Sequence, residues 1–181
     1  AAQVEALPEG AIKTGLEARL AQVQVDIDAA QAALAAVNYA TAAVEAAENV
    51  ADALAKDGTD TQKVIDAARN LYDTAVALVS ALPNGAIEAD LEARLAQVQA
   101  DINAAQDALD AGFEATAAVV AAENAANALA VDGADTQADI DAAQGFYDSA
   151  AAIVSALPEG SIKTGLEVRL ARVQADINAV Q

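Results

Sequence analysis

The residue types that most often carry out chemistry in proteins are absent from this sequence or lack their usual partners. Histidine and cysteine are both missing, and with them the commonest general base, the thiolate nucleophile and two frequent metal ligands. No Gly-x-x-x-x-Gly-Lys phosphate loop occurs. The serines have no imidazole to activate them, and none lies in a Gly-x-Ser-x-Gly sequence; they include Ser80, Ser149, Ser155 and Ser161. The sequence therefore predicts no enzyme activity, no catalytic residues and no cofactor.

Carboxylates are the remaining candidates for chemistry, and the loop Asp57-Gly58-Thr59-Asp60 is the one plausible metal site. Clustered carboxylate and carbonyl oxygens are the ligands that Ca²⁺ prefers. Two Asp residues in so short a loop fall short of an EF-hand, and both suit helix-capping roles. We therefore predict no metal site, and weak Ca²⁺ binding at Asp57 and Asp60 is the alternative.

The charge of the chain restricts its partners. With 28 Asp and Glu against 9 Lys and Arg, the formal net charge is −19. A surface this negative repels phosphate, which argues against nucleic acid and anionic lipid as partners, and it keeps a long protein soluble. No apolar run approaches the ~20 residues of a membrane span, so we predict no membrane insertion. Because the chain begins with Ala1, we expect it to be a segment of a larger protein.

The sequence is an array with a period of 75 residues. The motif Leu-Pro-x-Gly occurs at residues 7–10, 82–85 and 157–160, and a fixed period of this kind indicates a repeat architecture. We therefore predict a first repeat with a short lead at 1–81, a second repeat at 82–156, and the first helix of a third at 157–181. The third segment would complete the last bundle of helices.

Each repeat contains one long and one short segment with helical periodicity. Leu-Pro-x-Gly and the loop Asp57 to Asp60, which recurs as Asp132 to Asp135, interrupt the helices. Apolar residues recur at three- and four-residue steps within each segment. In the short segment, about 61–81, they are Ile65, Ala68, Tyr72, Ala75, Val79 and Leu82; in the long segment they are Leu16, Leu20, Val23, Ile27, Ala30 and Leu34, with copies 75 residues later.

The architecture depends on whether the long helix is continuous through 36–41 and 111–116. The first region has no Pro or Gly, and the single Gly112 in the second costs a helix only about 1 kcal/mol. We therefore predict helices over about 12–56 and 87–131, starting near the capping-box pattern of Thr14 to Glu17. The alternative is a tight turn near Asn38 and Gly112, which would give separate compact bundles.

The predicted fold class is all-α. We expect tandem spectrin-like three-helix bundles that form an elongated rod, with the long helix shared between neighbouring bundles. The second part of one long helix, the short helix and the first part of the next long helix would pack together. Such an arrangement offers no evident cleft for a pair of catalytic carboxylates.

Arginine recurs at one position of every copy, at Arg19, Arg94 and Arg169, in a chain poor in basic residues. These side chains could pair with a carboxylate on an adjoining helix, or they could belong to a solvated helix face. We favour the solvated face.

Aromatic residues are rare, and four of the five have a structural interpretation. Tyr72 and Tyr147 lie on the apolar face of the short helix, which favours anchoring in a core over stacking on a ligand. Tyr39 and Phe113 lie where the long helix passes from one bundle to the next. We expect both to pack between successive bundles.

The repeat resembles helical repeat domains of Gram-positive bacterial surface proteins, including S-layer proteins of the SbsC type. The residues that carry the resemblance are Ala40–Glu45, Thr61–Ala68, Val79–Gly85 and Leu91–Gln99. The resemblance implies triple-helical bundles in an extracellular protein associated with the cell wall, where neighbouring repeats, cell wall or other surface-layer subunits are the partners. We predict a non-catalytic spacer or stalk. The alternative is a binding module of a surface adhesin that recognises a host protein or a cell-wall glycan.

Overall fold

The computed structural model describes residues 2–129 and 135–181, and this part of the chain forms six α-helices and no strands. The prediction of an all-α protein is confirmed. The helices are α1 (Ala2–Glu5), α2 (Ala11–Asp52), α3 (Gln62–Val79), α4 (Ala86–Ala128), α5 (Gln137–Ser155) and α6 (Ser161–Ala179).

Helices α2, α4 and α6 each begin directly after the glycine of Leu-Pro-x-Gly. The proline of this motif prevents the preceding helix from continuing through it. The capping box predicted from Thr14 is therefore wrong. Thr14 and Thr164 lie inside the first turn, and their hydroxyls donate to the carbonyl oxygens of Gly10 and Gly160 at 3.3 and 3.0 Å. A threonine hydroxyl can bond to the carbonyl four residues earlier in the same helix, so the pattern does not identify a helix start by itself.

Helices α3 and α5 follow the second type of loop, and each has a threonine as its N-cap. The hydroxyl oxygen of Thr136 accepts from the backbone N–H of Asp139, whose carboxylate accepts from the N–H of Thr136 in return. The expectation that Asp60 caps α3 is wrong. Asp60 lies one residue earlier, and its carboxylate accepts from the backbone N–H of Ala55 at 2.5 Å, which closes the loop.

Both long helices are continuous through 36–41 and 111–116, as predicted, and the tight turn near Asn38 and Gly112 is wrong. They end at Asp52 and Ala128, a few residues earlier than expected. After Asp52 the chain tightens, because the N–H of Leu54 bonds to the carbonyl of Ala51 three residues back and the Leu54 side chain turns into the core.

The helices pack around two apolar cores. The first core lies between the C-terminal half of α2, α3 and the N-terminal half of α4, and the second between the C-terminal half of α4, α5 and α6. The largest fully buried side chains of the two cores are Val44, Ile65, Val79, Leu91, Val98, Ile102, Val119, Val154, Val173 and Ile177. Helix α4 therefore contributes one half to each core.

Tyr39 and Phe113 do not pack between helices, contrary to expectation. Their side chains are 70% and 63% exposed. Tyr39 is adjacent to Ala40, which faces the first core, and Phe113 is adjacent to Gly112, which faces the segment around Ile162. Because successive residues of a helix point about 100° apart, the aromatic rings are directed to solvent.

Candidate functional site

The same ion pair between two helices occurs in both helical groups. Arg94 on α4 donates through Nε and Nη2 to the two carboxylate oxygens of Glu48 on α2, at 2.7 and 2.6 Å. Arg169 on α6 contacts Glu123 on α4 in the same way, at 2.8 and 2.7 Å. Each pair joins two helices beside a core, and the two-pronged geometry is the strong form of this interaction.

The preference for a solvated face is wrong for Arg94 and Arg169, and the alternative of pairing with an adjoining helix is confirmed. Within residues 2–129 and 135–181, the third copy, Arg19, forms no ion pair. The partners Glu48 and Glu123 were not singled out from the sequence. The signal that could have identified them is their own 75-residue recurrence on the helix that packs against each arginine.

The electrostatics follow from this geometry. Hydrogen bonds from Arg94 lower the pKa of Glu48 below its ordinary value of 4.5, and burial opposes the shift. Arg169 lowers the pKa of Glu123 in the same way, with Arg172 adding to the effect. About one third of each side chain remains exposed, so solvent weakens the attraction.

A double-mutant cycle with Glu48→Gln and Arg94→Gln is expected to give a coupling energy of about 1 kcal/mol at pH 7, at the upper end for exposed pairs. Because the folded-state pKa of Glu48 is lowered, the coupling is present above pH 4.5 and falls as the pH drops below that value. Urea unfolding at pH 7 and at acid pH measures it. The cycle Glu123→Gln with Arg169→Gln is the matched replicate, and a coupling unchanged by acid would contradict the assignment.

The loop proposed as an alternative Ca²⁺ site uses its carboxylates internally. Asp57 accepts from the backbone N–H of Thr59 at 3.1 Å and from its hydroxyl at 2.6 Å, which lowers the pKa of Asp57. Asp60 accepts from Ala55. Across residues 2–129 and 135–181, no group of three or more Asp, Glu, His or Cys side chains is arranged to hold a metal ion. The copy of the loop at 132–134 lies outside the described residues.

This loop also packs against the next group of helices. Gly58, with φ of +81°, lies against the backbone carbonyl of Ala108 in the middle of α4. Asp57 lies against Gly160, the glycine that precedes α6. The side chain of Ile162 contacts Gly112 on α4 and approaches Gly58. The loop that ends the first helical group therefore meets the loop that begins α6, beside the midpoint of α4.

Tyr72 and Tyr147 are half-buried and pack against the first and second cores. Each also lines an open groove between its short helix and the helix that follows. The first groove is formed by Tyr72, Val76, Val79, Ser80, Glu92, Leu95 and Ala96, and the second by the residues 75 positions later. The tyrosines are therefore core anchors that keep one face accessible.

Three serine hydroxyls, two in α5 and one directly after α3, bond to the backbone of their own segment. Ser149 and Ser155 donate to the carbonyl oxygens of Gly145 and Ala152 at 2.8 and 2.7 Å, and Ser80 donates to that of Val76. Each hydroxyl thus points along its helix toward a carbonyl. The arrangement provides no activated nucleophile at these three positions.

None of the helices in the described ranges is both long enough and apolar enough to cross a membrane. Comparisons with protein-family models, curated proteins and solved structures find no match to this chain. The resemblance to bacterial surface repeats therefore stays a prediction.

Proposed function

We propose that this chain is a structural spacer or stalk of a bacterial cell-surface or S-layer protein. Its helices are interpreted as tandem spectrin-like three-helix bundles in an elongated rod, and no reaction is assigned to them. The protein would act outside the cell, in association with the cell wall, with neighbouring repeats as its first partners.

One observation carries the proposal: α4 contributes its first half to one core and its second half to the next. A helix of 43 residues is about 65 Å long at 1.5 Å per residue. Because the same helix belongs to both cores, bending between them requires a bend in α4 itself. The contact of Gly58 with Ala108 further restricts movement at the junction.

The repeats and the charge of the chain agree with a role as an extended spacer. Repeats that contact mainly their neighbours extend in proportion to their number. The net charge of −19 resists collapse and self-association of a long array. The bidentate pairs Glu48–Arg94 and Glu123–Arg169 fix the rotation of each helix relative to its neighbour.

The second candidate function is a binding module of a surface adhesin. The observation that favours it is the recurrence of the same groove beside Tyr72 and Tyr147, which presents an aromatic ring next to Glu92 and its copy Glu167. A tyrosine at the edge of an open groove can stack on a sugar ring or pack against an apolar side chain.

Small-angle X-ray scattering of the chain tests the spacer proposal. A compact globule of 181 residues has a radius of gyration of roughly 16 Å. Three half-helices placed end to end, each of about 21 residues, give a rod of roughly 95 Å and a radius of gyration of about 27 Å. A value near that of the globule would contradict the proposal.

Measuring whether the chain binds bacterial cell walls or host-cell surfaces distinguishes the adhesin alternative from the spacer proposal. The variant Tyr72→Ala with Tyr147→Ala is compared with Tyr39→Ala, whose ring lies outside the grooves and is largely exposed. Binding that is lost in the double variant but kept in Tyr39→Ala would support the adhesin. If neither the native chain nor the two variants bind, the spacer proposal is supported.

A further inference from the structure

The N-terminal half of α2 carries an apolar face that none of the helices α3 to α6 covers and that only the four-residue α1 lies near. We name this face the N-terminal seam; it consists of Leu16, Leu20, Val23, Ile27 and Leu34. Four of these side chains are exposed, and Leu16 is partly so. The copies of all five residues in α4 are buried in the first core: Leu91, Leu95, Val98, Ile102 and Leu109. The same face is thus covered in one copy and open in the other.

Helix α6 shows what this face can bind. Residues 11–31 and 161–181 are identical at 15 of 21 positions. The four seam residues in this range and Arg19 are unchanged in the α6 segment. In α6 the corresponding apolar side chains are buried against α4 and α5. A face with nearly the same sequence therefore fits a pair of helices made from this repeat.

The charge on this face specifies the partner further. Arg94 and Arg169 are both bonded to a glutamate of the neighbouring helix, whereas Arg19 forms no ion pair in the described part of the chain. A partner helix with glutamate at the position of Glu48 and Glu123 would supply the missing carboxylate. An arbitrary apolar partner would not satisfy this requirement.

The residues before α2 show which part of the repeat would precede the N-terminal seam. Val4 in α1 lies 75 residues before Val79 and 150 before Val154, which are both buried in the last turn of the short helix. Helix α1 contacts α2. In the repeat register, α1 therefore corresponds to the final turn of a short helix that would lie beside the N-terminal seam.

We propose that the N-terminal seam is the docking surface for one further helix pair of the same repeat. The pair consists of a helix equivalent to residues 36–52, with its glutamate facing Arg19, and a short helix equivalent to α3 that runs into α1. This proposal rests on the proposed function, since it names the partner by which the array continues. A second unmodified copy fits less well, because its own helix pairs are already covered by α4 and α6.

The test uses the complete chain with one addition. A copy of residues 36–75 placed directly before Ala1 continues the repeat without an insertion, because Ala1 corresponds to Val76. Hydrogen exchange of the backbone amides of residues 16–34 is then compared between the native and extended chains. We expect exchange in this segment to slow by about 100-fold or more, as a helix with an exposed apolar face becomes part of a packed core.

A matched control separates docking from a general effect of the extension. In the control, the added copies of Val44 and Ile65 are both changed to Asp, which places charges in the apolar contact. We expect residues 16–34 to exchange as fast as in the native chain. Equal protection by the extension and its control would overturn the proposal, as would a native chain that is already dimeric with these amides protected.

Arg19 provides a test of orientation. In the extended chain, Arg19→Glu is expected to reduce the protection about fivefold, the value of a pair of this kind, and changing the added copy of Glu48 to Arg should restore it. In the native chain Arg19→Glu should have no effect on these amides. A loss of protection that the reversed pair does not restore would show that the added helices dock in another orientation.

Failure of this inference and failure of the spacer proposal give different results. Protection of the seam in an extended chain whose scattering is compact would support docking and reject the rod. An elongated chain without added protection would support the rod and reject the docking surface.

Discussion

Replacing Ile102 or Ile177 with alanine is expected to lower the free energy of unfolding by about 2–5 kcal/mol, whereas the same change at Ile27 should cost less than about 1 kcal/mol. The three residues are copies of one position. Ile102 and Ile177 are fully buried, and Ile27 is 44% exposed. Removing a buried isoleucine side chain forfeits its transfer free energy and leaves a cavity, while an exposed one has little burial to lose.

Urea unfolding followed by circular dichroism measures these losses, and hydrogen exchange assigns each to a core. Ile102→Ala should weaken protection of α3 most, and Ile177→Ala that of α5, because the two side chains lie in different cores. The Ile27→Ala variant is the internal control. A cost at Ile27 equal to that at Ile102 would mean that the N-terminal seam is already covered in the isolated chain.

Glycine substitutions at the junction should produce the second large effect. At Gly58 a Cβ atom would lie 2.7 Å from the carbonyl oxygen of Ala108, and φ is +81°. Both the clash and the left-handed backbone oppose any other residue. We expect Gly58→Ala to cost about 2–4 kcal/mol by thermal or urea unfolding.

Gly160→Ala tests the contact with Asp57 without a change in the preferred backbone conformation. Its φ of 168° is extended and open to any residue, but a Cβ atom would lie 2.8 Å from Cβ and Oδ2 of Asp57. We expect a cost of about 1–3 kcal/mol. The matched control is Gly85→Ala, at the same position of the previous repeat, where the nearest atom is the carbonyl oxygen of Pro83 at 3.9 Å; its cost should stay within about 0.5 kcal/mol.

Asp57→Gly completes the design, because it removes the atoms that the new methyl group would meet. In that background Gly160→Ala should lose most of its effect. Equal costs at Gly85 and Gly160 would show that the contact between the two loops does not contribute to stability.

The continuity of the long helices could be predicted because it depends on local terms. No proline interrupts residues 11–52 or 86–128, and the single glycine in each range, Gly15 and Gly112, is too weak to end a helix. The exact first residues of the helices could not be predicted from the sequence. Thr14 has the sequence context of a capping residue, yet the helix begins at Ala11, directly after Gly10. The Thr14 hydroxyl instead bonds to a carbonyl oxygen of the first turn, as threonine can do inside a helix.

The exposure of the aromatic residues and the pairing of the charged ones could not be predicted from the sequence of a single helix. Phe113 and Gly112 are adjacent in sequence, and the rotation of α4 relative to the loop before α6 places Gly112 in contact and Phe113 in solvent. The pairing of Arg94 with Glu48 likewise requires two helices from different parts of the chain. Neither outcome follows from the periodicity of one helix.

The amino-acid sequence by itself determined the 75-residue period, the all-helical character, the apolar faces and the absence of histidine and cysteine chemistry, because each depends on residue type and short-range spacing. Only the tertiary structure decided which copy of a face is covered. Ile27, Ile102 and Ile177 have equivalent sequence surroundings, but only the last two lie beside a helix pair that removes them from water. Burial, and with it the role of Arg19 and its copies, depends on the presence of a neighbouring helix, which the local sequence around each residue does not encode.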